Sequence, residues 1–294
     1  MLVSNFPLTR KFLADNASQM LQQKFGTEVK VGDVQLGLFN SVILDSVLIK
    51  DRQGRNLFVA EKVSAKIRVR SLFFSPLTIR TVELYRAKAD LVKADDSSPY
   101  NFQFIVDSLS GNGNSGKGLN LKIKSIILNS CSLTHNVNSS PAVKTFDFKH
   151  LRLNHIDASI GVSIKNNGYI GIKIRDFAFQ EKSGLTVKHG YAYGNADGNA
   201  AEIPLFRIET PSSKIKFENV KLLYGKHGIS GGEACLSESR LSMSDIQPFV
   251  ETKLPDMTFN LSSSINYRQK ILSANAIRIA ESKGRALVRA NAQI

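Results

Sequence analysis

Seven times along this chain, two apolar residues one apart are followed by two polar residues and then by two more apolar residues one apart. The matches are Val29, Val31, Val34, Leu36; Val42, Leu44, Val47, Ile49; Leu77, Ile79, Val82, Leu84; and Leu121, Ile123, Ile126, Leu128. They continue with Leu151, Leu153, Ile156, Ala158; Ile172, Ile174, Phe177, Phe179; and Ile215, Phe217, Val220, Leu222. An unpatterned chain of this apolar content gives roughly one or two such matches. Period-two alternation turns one face of a strand toward an apolar phase, and the extra residue in the polar pair is what a β-bulge inserts. The bulge keeps both halves of the strand facing the same way.

Turn signals separate the runs: DRQG at 51–54, NNG at 166–168 and NADGN at 195–199. Such punctuation favours hairpins over crossover helices. The exceptions are an opening helix and two short helical turns. From Leu8 to Phe25 the chain reads as a helix with Leu13, Ala17, Met20 and Leu21 on one stripe, started by Pro7 and stopped by Gly26. NFQFIVDSL at 101–109 and SDIQPFV at 244–250 suggest the shorter turns, and SGNGNSGKG at 110–118 reads as a flexible loop. The fold expected is therefore mainly β: an elongated, curled antiparallel sheet with an amino-terminal amphipathic helix at 1–26 and one repeating β-groove domain at 27–294. About sixteen strands would make a ribbon roughly 75 Å long, and open sheets of that size must curl, split or close. Uneven spacing of the matches argues against a solenoid of fixed period.

Lys and Arg number 39 against 25 Asp and Glu, a net charge of +14 with a pI near 9.8. This favours an anionic partner, either nucleic acid or a phospholipid or lipopolysaccharide surface. In AKIRVR, Ala65, Ile67 and Val69 face one way while Lys66, Arg68 and Arg70 face the other. The cationic side is read first as a solvated face that blocks edge aggregation, and next as a contact for anionic headgroups. Nucleic acid ranks last, because aromatic residues do not interleave with these cations.

Catalytic and metal signatures are weak. Gly111–Gly118 approaches a phosphate-binding loop, but Gly118 replaces the hydroxyl that would ligate magnesium. The histidines His135, His150, His155, His189 and His227 lack ligand spacing, and Asp51, Asp95, Asp96 and Asp197 fall in turns, where Asp serves local hydrogen bonds. No catalytic residue, metal or cofactor is therefore assigned. Cys131 and Cys235 follow no metal or CxxC spacing; a disulfide and two separate thiols both remain open, and separate thiols are commoner. No apolar run is long enough to cross a membrane as a helix. On composition alone, the apolar template would be the core of a closed sandwich.

From residue 8 onward the chain resembles the amino-terminal part of TamB-like proteins of the AsmA superfamily. The resemblance is carried by FGTEVKVGDVQLGLFNSVILDSVLIKDRQG at 25–54, SPLTIRTVELYRAKADLVK at 75–93, NFQFIVDSL at 101–109, LFRIETPSSKIKF at 205–217 and LSMSDIQPFV at 241–250. It implies a non-enzymatic envelope protein whose curved sheet holds a hydrophobic groove, conducting phospholipids between inner and outer membranes for outer-membrane biogenesis. Its alternative role is a periplasmic scaffold that receives strands of outer-membrane β-barrel proteins by β-augmentation. Relative to that family, the inner-membrane anchor and the carboxy-terminal domain are missing, so a soluble fragment is expected. Placed on the template, the groove residues are Val34, Leu36, Val82, Leu84, Ile126, Leu128, Ile156, Phe177, Phe179, Val220 and Leu222, with phospholipid acyl chains as the partner.

Overall fold

The fold comes from a computed structural model that describes residues 7–37, 40–67, 77–110, 121–164, 170–197, 199–225, 228–268, 271–281 and 287–293. It is mainly β with one long amino-terminal helix, and it divides into two compact units, residues 1–143 with 147–157 and residues 144–146 with 158–294.

The first unit opens with α1 (Pro7–Phe25), followed by β1 (Val29–Gly37), β2 (Ser41–Lys50), β3 (Asn56–Ile67), β4 (Leu77–Tyr85) and β5 (Lys88–Lys93). Then come α2 (Gln103–Ser110), β6 (Leu121–Ile123), β7 (Ser125–Val137) and the start of β8 (His150–Ile164). Helix α1 ends at Gly26, whose φ of 67° suits glycine and whose N–H donates to the Gln22 carbonyl at 2.8 Å. Its buried side carries Ala14, Leu21 and Phe25 against the sheet. Met20, expected on this stripe, is 63% exposed; six residues after Ala14, it lies about a third of a turn away. Arg10 pairs with Asp33, the Ser18 hydroxyl accepts from Val31 N–H at 2.9 Å, and Gln22 Nε2 donates to the Val29 carbonyl at 2.8 Å. These contacts fix α1 to β1.

Strands β1, β2, β3 and β4 follow one another antiparallel, but β4 pairs with β6 and β7 in parallel, and β5 also pairs with β7 in parallel. The sheet is mostly antiparallel, as expected, with these parallel pairs of β4 and β5 making it mixed. The cause is the connection at 94–120: a segment of that length, carrying α2, can cross back over where a tight hairpin cannot.

In the second unit β8 continues into β9 (Ile170–Glu181), β10 (Thr186–Ala196), β11 (Ala200–Glu209), β12 (Lys214–Gly225) and β13 (Gly228–Ser242). After two 3-10 turns, Met243–Asp245 and Gln247–Phe249, the chain adds β14 (Thr258–Arg268), β15 (Ile271–Glu281) and β16 (Leu287–Gln293). From β9 to β16 each strand pairs antiparallel with the next.

One backbone feature recurs in both units. Among the described residues eight non-glycine residues have positive φ: Asn40, then Arg86 between β4 and β5, and Ser46, Ser130, His155, Asn219, Glu238 and Ala276 in mid-strand, all but Asn40 just before an apolar or small residue. Ser46, His155 and Asn219 are second members of template polar pairs, so the pair marks a left-handed bend that returns the strand to its original face. In the 77–84 and 121–128 matches this bend comes one pair later, at Arg86 and Ser130. Neighbouring strands bend at matching levels, as where Gly32 and Ser46 fall between the pairs Val31–Val47 and Asp33–Asp45.

Candidate functional site

Because the bends coincide, apolar residues line up in rungs across the strands. In the first unit one rung runs Val34–Leu44–Val63–Leu84–Leu128 and the next Leu36–Val42–Ala65–Val82–Ile126. Six of the residues expected to line a groove thus occupy two adjacent rungs. Val34 is buried under α1 against Ala14, whereas Leu36 is 44% exposed. Leu84, Leu128 and Ile156 pack onto a buried floor of Val47, Ala60, Ala87 and Cys131. A further buried cluster joins Phe25, Val29 and Leu57 to Phe104 of α2. The floor is closed from within the unit, while Leu44, Val63, Leu84 and Leu128 above it are half-buried.

In the second unit the main rung is Ile174–Ala192–Phe206–Phe217–Leu236. Beside it, Phe177 lies opposite Gly190, Phe179 opposite Val187, Val220 opposite Ile203, and Leu222 opposite Ala201. All of these except Val187, Ala201 and Gly190 are half-buried. Among the described residues of this unit, Val187 and Ala201 are the buried apolar side chains, and no buried apolar cluster forms. The Phe177 ring lies against Gly190, where an added Cβ would come within 2.4 Å of three ring carbons, and it stacks with Phe179 at 6.3 Å between centroids.

Sequence reasoning missed the small floor residues Ala60, Ala87 and Cys131, and the glycine under Phe177. The signal for Ala60 was available: Phe58, Ala60, Val63 and Ala65 repeat the template with alanines in two slots.

The cationic face is described in part. Lys66 is exposed and faces Glu83 at 3.4 Å, while Ala65 and Ile67 join the apolar rungs on the other side. Arg68 and Arg70 lie outside the described residues, as do Gly111–Gly118 and His227.

Several other titratable groups have local partners. The buried Asp51 accepts from Gln53 N–H at 2.9 Å, from Arg55 N–H at 3.0 Å and from Arg55 Nε at 2.8 Å, fastening the β2–β3 turn. Burial pushes its carboxyl up, but the Arg55 and Gln53 hydrogen bonds outweigh it and hold the group below the usual carboxylate range. Glu28 is drawn down to about 2 by hydrogen bonds from Lys30 and Lys50. Asp147 accepts from Val143 N–H and Lys149 N–H, both at 3.0 Å, and pairs with His150 Nδ1 at 2.9 Å. Buried His135 contacts the Phe148 carbonyl at 2.9 Å. Cys131 and Cys235 are free thiols. Among the described residues no cluster of three His, Cys, Asp or Glu is placed to hold a metal, and no helix is long and apolar enough to cross a membrane.

No protein-family model, curated protein or solved structure matches this chain.

Proposed function

We propose that this chain is a non-enzymatic lipid conduit of the TamB-like kind that its sequence resembles, working on the periplasmic side of the cell envelope in outer-membrane biogenesis. Phospholipid acyl chains lie across the apolar rungs while the headgroups stay toward water. The observation that carries this reading is the rung Ile174–Ala192–Phe206–Phe217–Leu236, apolar across five strands yet part of no buried cluster. A closed sandwich would pack such a face against a second sheet. Each buried CH₂ contributes about 0.8 kcal/mol, so an acyl chain of roughly sixteen carbons has ample reason to leave water. Many similar rungs in series supply weak, exchangeable sites rather than one tight one.

The test is mass spectrometry of lipids extracted from the purified chain, beside the Phe217→Glu variant. Phospholipid is expected with the parent and at least tenfold less with the variant, whose circular dichroism stays unchanged because the position is half-buried. A lipid-free parent, or unfolding of the variant as a buried unpaired charge would cause, overturns the reading. Strand reception at β16 is the competing role. A Val288→Pro change there removes a backbone donor, weakening strand addition while sparing lipid uptake.

A further inference from the structure

Among its described residues the second unit carries ten large apolar side chains that are exposed, and eight of them gather at one end of its strands. Ile172 lies near the start of β9, Tyr193 near the end of β10, Leu223 near the end of β12, Ile229 at the start of β13, and Ile271 and Leu272 at the start of β15. Pairing makes these positions neighbours along one rim: Tyr193 opposes Lys173, Leu223 opposes Ala200 and Gly231, and Tyr267 opposes Leu272. The exceptions are Phe249, in the 3-10 turn at the other end, and Val288 on β16.

The other end of the same strands is polar and tied down. Glu181 accepts from Ser183 N–H at 2.7 Å, and Asp245 accepts from the Thr210 and Ser213 hydroxyls, both at 2.6 Å. Ser213, Ser239 and Ser242 are buried there. The apolar rim therefore reflects one end of the strands rather than the composition of the whole unit.

The rim is apolar on both faces of the sheet. Ile172 and Leu272 share the face of the rungs, whereas Tyr193, Leu223 and Ile271 alternate to the opposite face. A protein surface docked on one face would leave the other wet, but a fluid apolar phase covers both. In the sequence, the segments 163–173, 222–230 and 266–273 that end or join these strands hold five Lys or Arg and no Asp or Glu, while 193–202 holds Asp197 and Glu202; of these cations, Lys173 and Arg268 are described on the rim. Tyrosine and isoleucine among lysines suit the boundary between headgroups and acyl chains.

We propose that this rim dips into the surface of an anionic phospholipid bilayer, so that the second unit stands on the membrane by its strand ends. The contact is separate from lipid carriage and does not require a loaded groove.

The chain contains no tryptophan, so a single introduced indole reports its own surroundings. Leu223→Trp, Ile271→Trp and, at the opposite end, Phe249→Trp occupy exposed positions. Each full-length variant is mixed with vesicles of phosphatidylglycerol and phosphatidylcholine, some containing brominated acyl chains. Emission at positions 223 and 271 should shift to the blue and be quenched by bromine, while position 249 stays unchanged. In flotation, Leu223→Ser with Ile271→Ser should bind these vesicles at least tenfold more weakly than the parent. Lipid that copurifies with this double variant should match the parent, which separates this proposal from the conduit reading. Equal responses at all three positions, no shift at 223 and 271, or a shift that follows protein concentration without vesicles would overturn the bilayer contact; the last would mark a second copy of the chain as the occupant.

Discussion

The two units start from the same strand template and treat its apolar face differently. In the first, α1 lies over Val31 and Val34, Phe104 of α2 closes on Val29 and Leu57, and Val47, Ala60, Ala87 and Cys131 form a sealed floor. In the second, no helix of comparable length is present among the described residues, and the described Phe206, Phe217, Val220 and Leu222 pack onto no buried apolar cluster. The carboxylates held below their usual range divide the same way: Glu28, Asp33, Asp51, Glu61, Asp95 and Asp147 in the first unit, and Glu218 in the second. Alternation alone therefore says which side of a strand is apolar. Whether that side is sealed depends on what the intervening segments bring to cover it.

The sharpest way to break this contrast is truncation of one aromatic in each unit. Phe104→Ala should cost about 3 to 5 kcal/mol, because the ring is 5% exposed within a closed cluster. Phe206→Ala should cost about 1 to 2 kcal/mol, since a half-buried ring leaves no enclosed cavity. Denaturant unfolding followed by hydrogen exchange in each unit measures both, and equal costs would mean that the second face is sealed after all.

Gly190→Val should cost about 1 to 3 kcal/mol in the second unit by driving Phe177 from its seat. Combined with Phe177→Ala, which vacates the clash, most of that cost should vanish. Additive costs would show that the ring and the glycine are independent.

Acid should loosen the first unit before the second. Glu28 and Asp51 titrate lower when folded than when unfolded, so their contribution is complete above the ordinary carboxylate range and is lost as pH falls through the folded value. For Glu28 the window runs from 4.5 down to about 2. Exchange protection of β1 to β3 should therefore fall in this range while β9 to β12 hold. Simultaneous loss would place the acid-sensitive groups elsewhere.

The smallest effect should be alike in both units. Ser46→Gly and Ala276→Gly relieve a left-handed residue, at φ 54° and 52°, and each should stabilise by about 0.5 to 1 kcal/mol after the entropy of glycine is counted. A gain at one position alone would mean that the bends are not equivalent.

The sequence disclosed what depends on near neighbours. Polar pairs such as Asp45–Ser46 and Glu218–Asn219 marked the bends, Asp51 marked its turn, and Pro7 with Gly26 bracketed α1. The rungs were implicit as well: the two matches paired in parallel align slot for slot, Val82 with Ile126 and Leu84 with Leu128, and antiparallel neighbours align in reverse, Val34 with Leu44 and Leu36 with Val42. Hidden from the sequence were features set by distant segments. The parallel pairing of β4 with β7 depends on where the chain returns after residue 120, the burial of Val34 on where α1 lands, and the seat of Phe177 on a glycine in the neighbouring strand. The division within β8 leaves no trace either, because the template passes through it at Leu151–Ala158.

The shared bend also bears on how such a chain can lengthen. A strand inserted into an ordinary twisted sheet must match two neighbours with their own irregularities, and a mismatch turns its side chains to the wrong face. Here adjoining strands present the same profile, so a duplicated hairpin would find complementary neighbours wherever it landed. Duplication of a hairpin thus lengthens such a sheet two strands at a time, without redesign of any one strand.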